Sequence, residues 1–224
     1  MKRITGIALG LVALFFLLSM RPLKPKKVIF FGDSITAQGV NPDGYIALTR
    51  KRLETENKAS EYELVGAGVS GNKIYDLYFR LDADVLSKQP DVVVIYIGVN
   101  DVWHKMQSGT GTDAGRFAKF YAAIIEKTQA AKAKVILCTP AVIGERKDNT
   151  NEQDGDLNQY SQVVRELAAK YKCPLVDLRK QFQEYEAQHN PQNEEKGILT
   201  RDKVHLNPTG NQFVADLLFS VITS

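Results

Sequence analysis

Five short apolar runs rich in β-branched residues punctuate this chain: KVIFFGDS (27–34), YELVGAGV (62–69), VVVIYIG (92–98), KVILCTP (134–140) and PLVDL (174–178). Their hydrophobicity is continuous instead of alternating, which marks strands covered on both faces. Around 45–56, 117–131 and 157–171 the apolar residues recur at three and four, as on one face of a helix, and a last helix starts near Pro208 and runs to about Ser220. A fifth strand followed by its own helix completes the alternation. Strand and helix in regular succession predict an α/β fold, a parallel sheet wrapped by helices. With no internal repeat and no linker, 27–224 reads as one domain, a size one core can support.

What precedes that domain differs in kind. Residues 4–20 carry no charge and follow Met1-Lys2-Arg3, the layout of a signal peptide or membrane anchor. As a helix the run reaches roughly 25 Å, a little short of the ~30 Å hydrocarbon core. No small-x-small cleavage site is evident before Arg21-Pro22, so 1–26 is expected to be an uncleaved anchor with a basic flank on an exported protein. The 29 Lys and Arg against 26 Asp and Glu include Lys2, Arg3 and Arg21, which have no acid near them; without these the balance is 26 to 26. The body is neutral, which removes the domain-wide basic surplus of a nucleic-acid binder. Cys138 closes one strand and Cys173 precedes another, a placement that predicts two buried free thiols.

At 66–71 the chain reads GAGVSG, a letter-for-letter match to the dinucleotide pattern G-x-G-x-x-G. A dinucleotide site wants those glycines after the first strand, with an acid at the end of the next. Here they follow the second strand, and the next one ends at Gly98. A nucleophile elbow at Ser70 lacks its second glycine, since Asn72 stands there, and no Gly-Lys-Ser/Thr closes a phosphate loop. No cofactor is expected. The run reads as a small-residue turn, with Gly66 and Gly68 serving close packing and Gly71 offering a bare amide.

Other segments near strand ends supply what that amide could serve. Acyl transfer needs a hydroxyl nucleophile, an imidazole to take its proton, a carboxylate to orient the imidazole, and donors aimed at the developing oxyanion. Gly32-Asp33-Ser34-Ile35 ends the first strand, Gly98-Val99-Asn100-Asp101 the third, and Asp202-Lys203-Val204-His205 stands near the C-terminus. Taken singly, each has a plain explanation as helix cap, turn or surface histidine. Of the three histidines, His104 lies in a loop-like stretch and His189 in a polar segment. Only His205 has an aspartate three residues before it and a helix start, Asn207-Pro208, after it. Three polar stretches, 104–115, 144–156 and 188–202, are candidate rim loops at the carboxyl edge of the sheet, with ordinary solvated connections as the alternative. No cluster of His, Cys and Glu calls for a metal.

Together, GDSI, GVSGN, GVND and DKVH, in that order, resemble the blocks of the SGNH hydrolases, also called GDSL-type esterases, and the match spans about 27–220. The resemblance implies a three-layer α/β/α fold with a five-stranded parallel sheet of flavodoxin-like order 2-1-3-4-5. It implies Ser34 as nucleophile, His205 as base and Asp202 as its partner, with the Ser34 amide, the Gly71 amide and the Asn100 side chain as oxyanion donors. A side chain at 71 would then be expected to crowd the acyl group. GDSIT followed by a tyrosine-bearing helix resembles bacterial members that deacetylate polysaccharides, so the expected substrate is a short-acyl ester of a carbohydrate or cell-wall glycan. The alternatives are a lysophospholipase or lipase and, in another class, an inactive membrane-tethered binding module. Activity that needs a neutral imidazole is expected to fall below about pH 6 to 7.

Overall fold

The computed structural model describes residues 24–224, so the anchor reading of 4–20 lies outside the described residues. Five parallel strands stand in the order β2-β1-β3-β4-β5, as expected. They are β1 (Lys26–Gly32), β2 (Tyr62–Gly68), β3 (Val92–Tyr96), β4 (Lys134–Cys138) and β5 (Leu175–Val176). Eight α-helices are described: α1 (Ser34–Gly39), α2 (Tyr45–Thr55), α3 (Ile74–Asp84), α4 (Val99–Gln107), α5 (Ala114–Ala130), α6 (Asp154–Tyr171), α7 (Leu178–His189) and α8 (Pro208–Ile222).

Alternate residues of the strands feed two cores, which is why their hydrophobicity is continuous. Val28 and Phe30 of β1 pack with Tyr45, Ile46 and Leu53 of α2, Phe182 of α7 and Leu218 of α8. Ile29 and Phe31 pack on the other face with Leu77 and Leu81 of α3, Phe117 and Ile124 of α5 and Val164 of α6. Each such side chain contributes roughly 1.5–3 kcal/mol when withdrawn from water. The pairing register aligns Gly68, Gly32, Tyr96, Cys138 and Val176 in one row. The segments that follow them therefore leave the sheet along one edge.

Three local differences from the sequence reading have physical causes. β5 holds only two residues because the Asp177 side chain accepts from the Lys180 amide and starts α7 at once. His104 belongs to α4 instead of a loop, since the helix begun beneath Gly98 buries Val99 and Val102 and continues to Gln107. Asp33, rather than Ser34, caps α1: its carboxylate accepts from the Ile35 amide, which leaves Ser34 as the first helical residue. Cys138 and Cys173 are buried and unbridged.

Candidate active site

The exits of the first three strands are tied together by backbone and side-chain bonds. The Val69 amide donates to the Gly32 carbonyl at 3.1 Å, which draws the turn after β2 toward the end of β1. Arg80 of α3 donates to the same carbonyl at 2.8 Å and to Asn72 Oδ1 at 2.7 Å. Asn100, the second residue of α4 and only 3 % exposed, donates through Nδ2 to the Asn72 carbonyl at 3.1 Å. Its second amide hydrogen is spare. Asp101 beside it accepts from the Ile74 amide and so fixes the start of α3.

Gly71 lies exposed in the turn with φ at +79°, a conformation that L side chains rarely adopt. A Cβ there would meet none of the protein's own atoms within 4 Å, and the positive φ favours glycine. The Gly71 amide bonds to no backbone carbonyl among the described residues. Gly66 and Gly68 do serve close packing: a Cβ would come within 2.4 Å of Val40 Cγ1 at the first and 2.1 Å of the Ala37 nitrogen at the second. The match to a dinucleotide pattern thus reflects β2 pressed against α1.

Across the edge, the segment before α8 brings His205 to Ser34 over 171 residues of chain. Ser34 Oγ lies 2.9 Å from His205 Nε2, and His205 Nδ1 lies 2.9 Å from Asp202 Oδ2. The other carboxylate oxygen accepts from the His205 amide at 2.8 Å and the Val204 amide at 3.2 Å. Lys203, with φ at +84°, lets the chain turn tightly enough for this. Burial alone would favour the neutral acid, but those amide bonds and the imidazole outweigh it and hold the Asp202 carboxyl below its ordinary range. Such a line can take a proton from a hydroxyl and keep the resulting imidazolium stable. A cleft of about 300 Å³ opens beside it, with Ile35 and Leu206, the chain neighbours of Ser34 and His205, in its wall alongside Gln38, Asn41, Arg201 and Asn207. Arg201 donates to Gln38 Oε1 at 2.8 Å across that wall.

Two buried carboxyls lie behind Ser34 with raised pKa values: Asp33, pushed up to about 7, and Asp101, to about 6, in both cases chiefly by burial. His104 and His189 take no part in the line. His189 bonds to the Tyr185 carbonyl and stacks on the Tyr185 ring at 4.0 Å. Sequence reasoning missed Arg80 and Glu145. Glu145 sits in the stretch GERKDNT, whose composition reads as solvated loop, yet it is wholly buried. No group of three His, Cys, Asp or Glu suited to a metal occurs among the described residues.

The sequence model of the GDSL-like lipase/acylhydrolase family matches residues 30–213. The crystal structure of an acetyl xylan esterase, AlAXEase, is 59% identical with a TM-score of 0.87, covering 88% of this chain and 99% of that one. The acetylxylan esterase of Geobacillus stearothermophilus is 29% identical over 208 residues, 85% of this chain and 90% of its own. An uncharacterised lipoprotein of Bacillus subtilis, YqeF, is 26% identical over 212 residues, 84% of this chain and 85% of its own. With the sheet order, the strand-end blocks and these relatives in agreement, the chain belongs to the GDSL-like lipase/acylhydrolase family and is an esterase of the SGNH hydrolase fold.

Proposed function

We propose that this esterase removes short acyl groups, acetyl above all, from the hydroxyls of a carbohydrate through an acyl-enzyme on Ser34. The observation that carries the reading is the unbroken line from Ser34 Oγ through His205 to Asp202, at 2.9 Å for each side-chain link. Ser34 Oγ adds to the ester carbonyl carbon while its proton passes to His205 Nε2. The charged Asp202 carboxylate holds the imidazole's other N–H and stabilises the imidazolium. The carbonyl oxygen, now an oxyanion, receives the Ser34 amide, the Gly71 amide and the spare hydrogen of Asn100 Nδ2. The oxyanion re-forms the carbonyl as the bond to the alcohol oxygen breaks, and the imidazolium gives its proton to that departing alcohol oxygen. Water then adds to the acyl-enzyme by the same route and releases the carboxylic acid.

The carbohydrate half of the proposal is supported by the two acetyl xylan esterases among the relatives and by the cleft. Its wall carries Gln38, Asn41 and Arg201, amide and guanidinium groups suited to sugar hydroxyls. The test compares p-nitrophenyl acetate with p-nitrophenyl decanoate and acetylated xylan with its deacetylated product. Faster turnover of the acetyl ester, acetate release from the glycan, and loss of both in Ser34→Ala are the expected results. A preference for decanoate would turn the reading toward a lysophospholipase, and full activity in Ser34→Ala would remove the nucleophile.

We further propose that the enzyme is exported and held at the membrane by residues 4–20. The uncharged run behind Lys2-Arg3 and the lipoprotein among the relatives support this. Neither cysteine of the chain falls in that run, so the attachment rests on the apolar segment itself. Recovery in the soluble fraction of cells expressing the full chain would overturn it.

A further inference from the structure

We propose that Glu145 is a positioning residue for catalysis: it holds the segment that carries Asp202 and His205 in register with Ser34. This rests on the roles assigned above to those three residues. Between Asn190, where α7 ends, and Asn207, which caps α8, the chain forms neither a strand nor an α-helix. Its own bonding is local: Asn207 Nδ2 donates to the Gly197, Ile198 and Thr200 carbonyls at 3.3, 3.1 and 3.4 Å, and the Gly197 amide to the Thr200 carbonyl at 2.8 Å. An isolated antiparallel bridge pairs Thr200 with Leu206, the Arg201 amide donates to the His205 carbonyl at 2.9 Å, and the Asn207 amide donates to the Leu199 carbonyl at 2.9 Å. These close a small loop with Asp202 and His205 on it. They do not attach that loop to the sheet.

Leu199, Val204 and Leu206 pack the loop against the core, and Glu145 supplies its polar attachment. It stands in the connection from β4 to α6 and is 0 % exposed. Its Oε2 accepts from the Ile198 amide at 2.8 Å, and its Oε1 accepts from the Leu199 amide at 2.6 Å and the Thr200 amide at 2.7 Å. The three donors are consecutive and stand immediately before the Arg201-Asp202 turn. The main chain around Glu145 grips the same segment: the Gly144 amide donates to the Lys203 carbonyl at 2.9 Å and the Glu145 amide to the Glu195 carbonyl at 3.0 Å. Asn190 Nδ2 returns to the Glu145 carbonyl at 2.7 Å.

The chemistry of the side chain is specific. Glu145 forms no ion pair among the described residues, so its charge is satisfied by backbone dipoles in a dry site, where charge-assisted bonds are short and strong. Two oxygens with several lone pairs accept three amides at once. In a glutamine, an NH₂ group would replace one oxygen and oppose an amide donor. An aspartate keeps the charge but is one methylene too short. Either change lets the loop drift, and small misplacements of a catalytic group have large effects on rate.

The experiment measures turnover of p-nitrophenyl acetate by the full chain carrying Glu145→Gln or Glu145→Asp, each in the native and in the His205→Ala background. In the native background the expected loss is roughly 10- to 100-fold in kcat, with KM for this small ester within about 2-fold because the oxyanion donors are untouched. In His205→Ala, whose residual turnover comes from the oxyanion donors and binding, the same change is expected to cost less than about 2-fold, since no imidazole remains to be positioned. An equal loss in both backgrounds would show general structural support, and an unchanged kcat would show no role; either overturns the proposal. Amide hydrogen exchange on the native protein decides the matter even if the variants do not fold. The amides of 198–200 are expected to be as protected as those of β3, and rapid exchange there overturns the anchoring. A failure of the underlying triad is a separate outcome, seen as full activity of His205→Ala with Glu145 intact.

Discussion

The two sides of the active site are built by different means. Ser34, Gly71 and Asn100 follow β1, β2 and β3 within a few residues, so sheet register brings them together, and Val69, Arg80 and Asn100 lock the exits to one another. Asp202 and His205 follow no strand; they lie on an irregular loop tied to the fold in large part by the buried carboxylate of Glu145. The Ser34 side is placed by sheet register and secured by the Arg80 and Asn100 side chains. The base side depends on side chains from distant segments, Glu145 foremost among them. A contrast of this kind separates positions where substitution acts locally on chemistry from positions where it acts through a neighbour.

The sharpest test of the base side is Asp202→Asn. Asparagine keeps an oxygen for the His205 and Val204 amides, so the turn survives, but an NH₂ can replace the acceptor facing His205 Nδ1. A kcat loss of roughly 10³- to 10⁴-fold with the melting temperature nearly unchanged is expected. A loss under 10-fold would mean that Asp202 serves the turn alone. On the nucleophile side, Asn100→Ala is expected to lower kcat by roughly 10²- to 10³-fold, the scale of one oxyanion donor. Because Asn100 also bonds to Asn72, a melting-temperature drop without a kcat loss would make it a tether between turns instead.

The smallest effect concerns the carboxyls beneath Ser34. Asp33 near 7 and Asp101 near 6 both hold their protons more tightly in the folded protein than at the ordinary 3.8. Between about pH 4 and 7 the native state therefore binds more protons than the unfolded chain, and stability falls as pH rises through that window. Asp33→Asn preserves an acceptor for the Ile35 amide while removing the titration. Melting temperatures measured at pH 5 and pH 8 are expected to lie closer together in this variant than in the native protein. An unchanged gap would show that the Asp33 carboxyl is ionised throughout.

Much of the fold was legible because its signals are local. Val28, Ile29, Phe30 and Phe31 must all be buried, and only a strand covered on both faces does that; α2 and α6 declare themselves by apolar spacing. β5 was read as longer than it is because Pro174 to Leu178 is apolar, while the Asp177 cap that ends it after two residues depends on the path of the chain beyond. The start of 104–115 was read as loop because polar residues dominate there, although α4 needs only its Val99 and Val102 side buried. GDSI and GVND stood at strand ends, where their chemistry could be weighed from sequence. Glu145 could not be, because GERKDNT has the composition of a solvated turn and only its partners 53 to 55 residues away reveal it as buried.

By itself, the sequence determined the order of strands and helices, the two-faced burial of the sheet and which reactive side chains stand near its strand ends. Those follow from periodicity and residue type, which act over a few neighbours. The tertiary structure alone decided that an imidazole 171 residues from the serine comes within 2.9 Å of it and that a glutamate in a polar stretch goes dry. A charge enters the interior only where donors from distant segments converge on it, and that convergence is a property of the packed chain, not of any window along it.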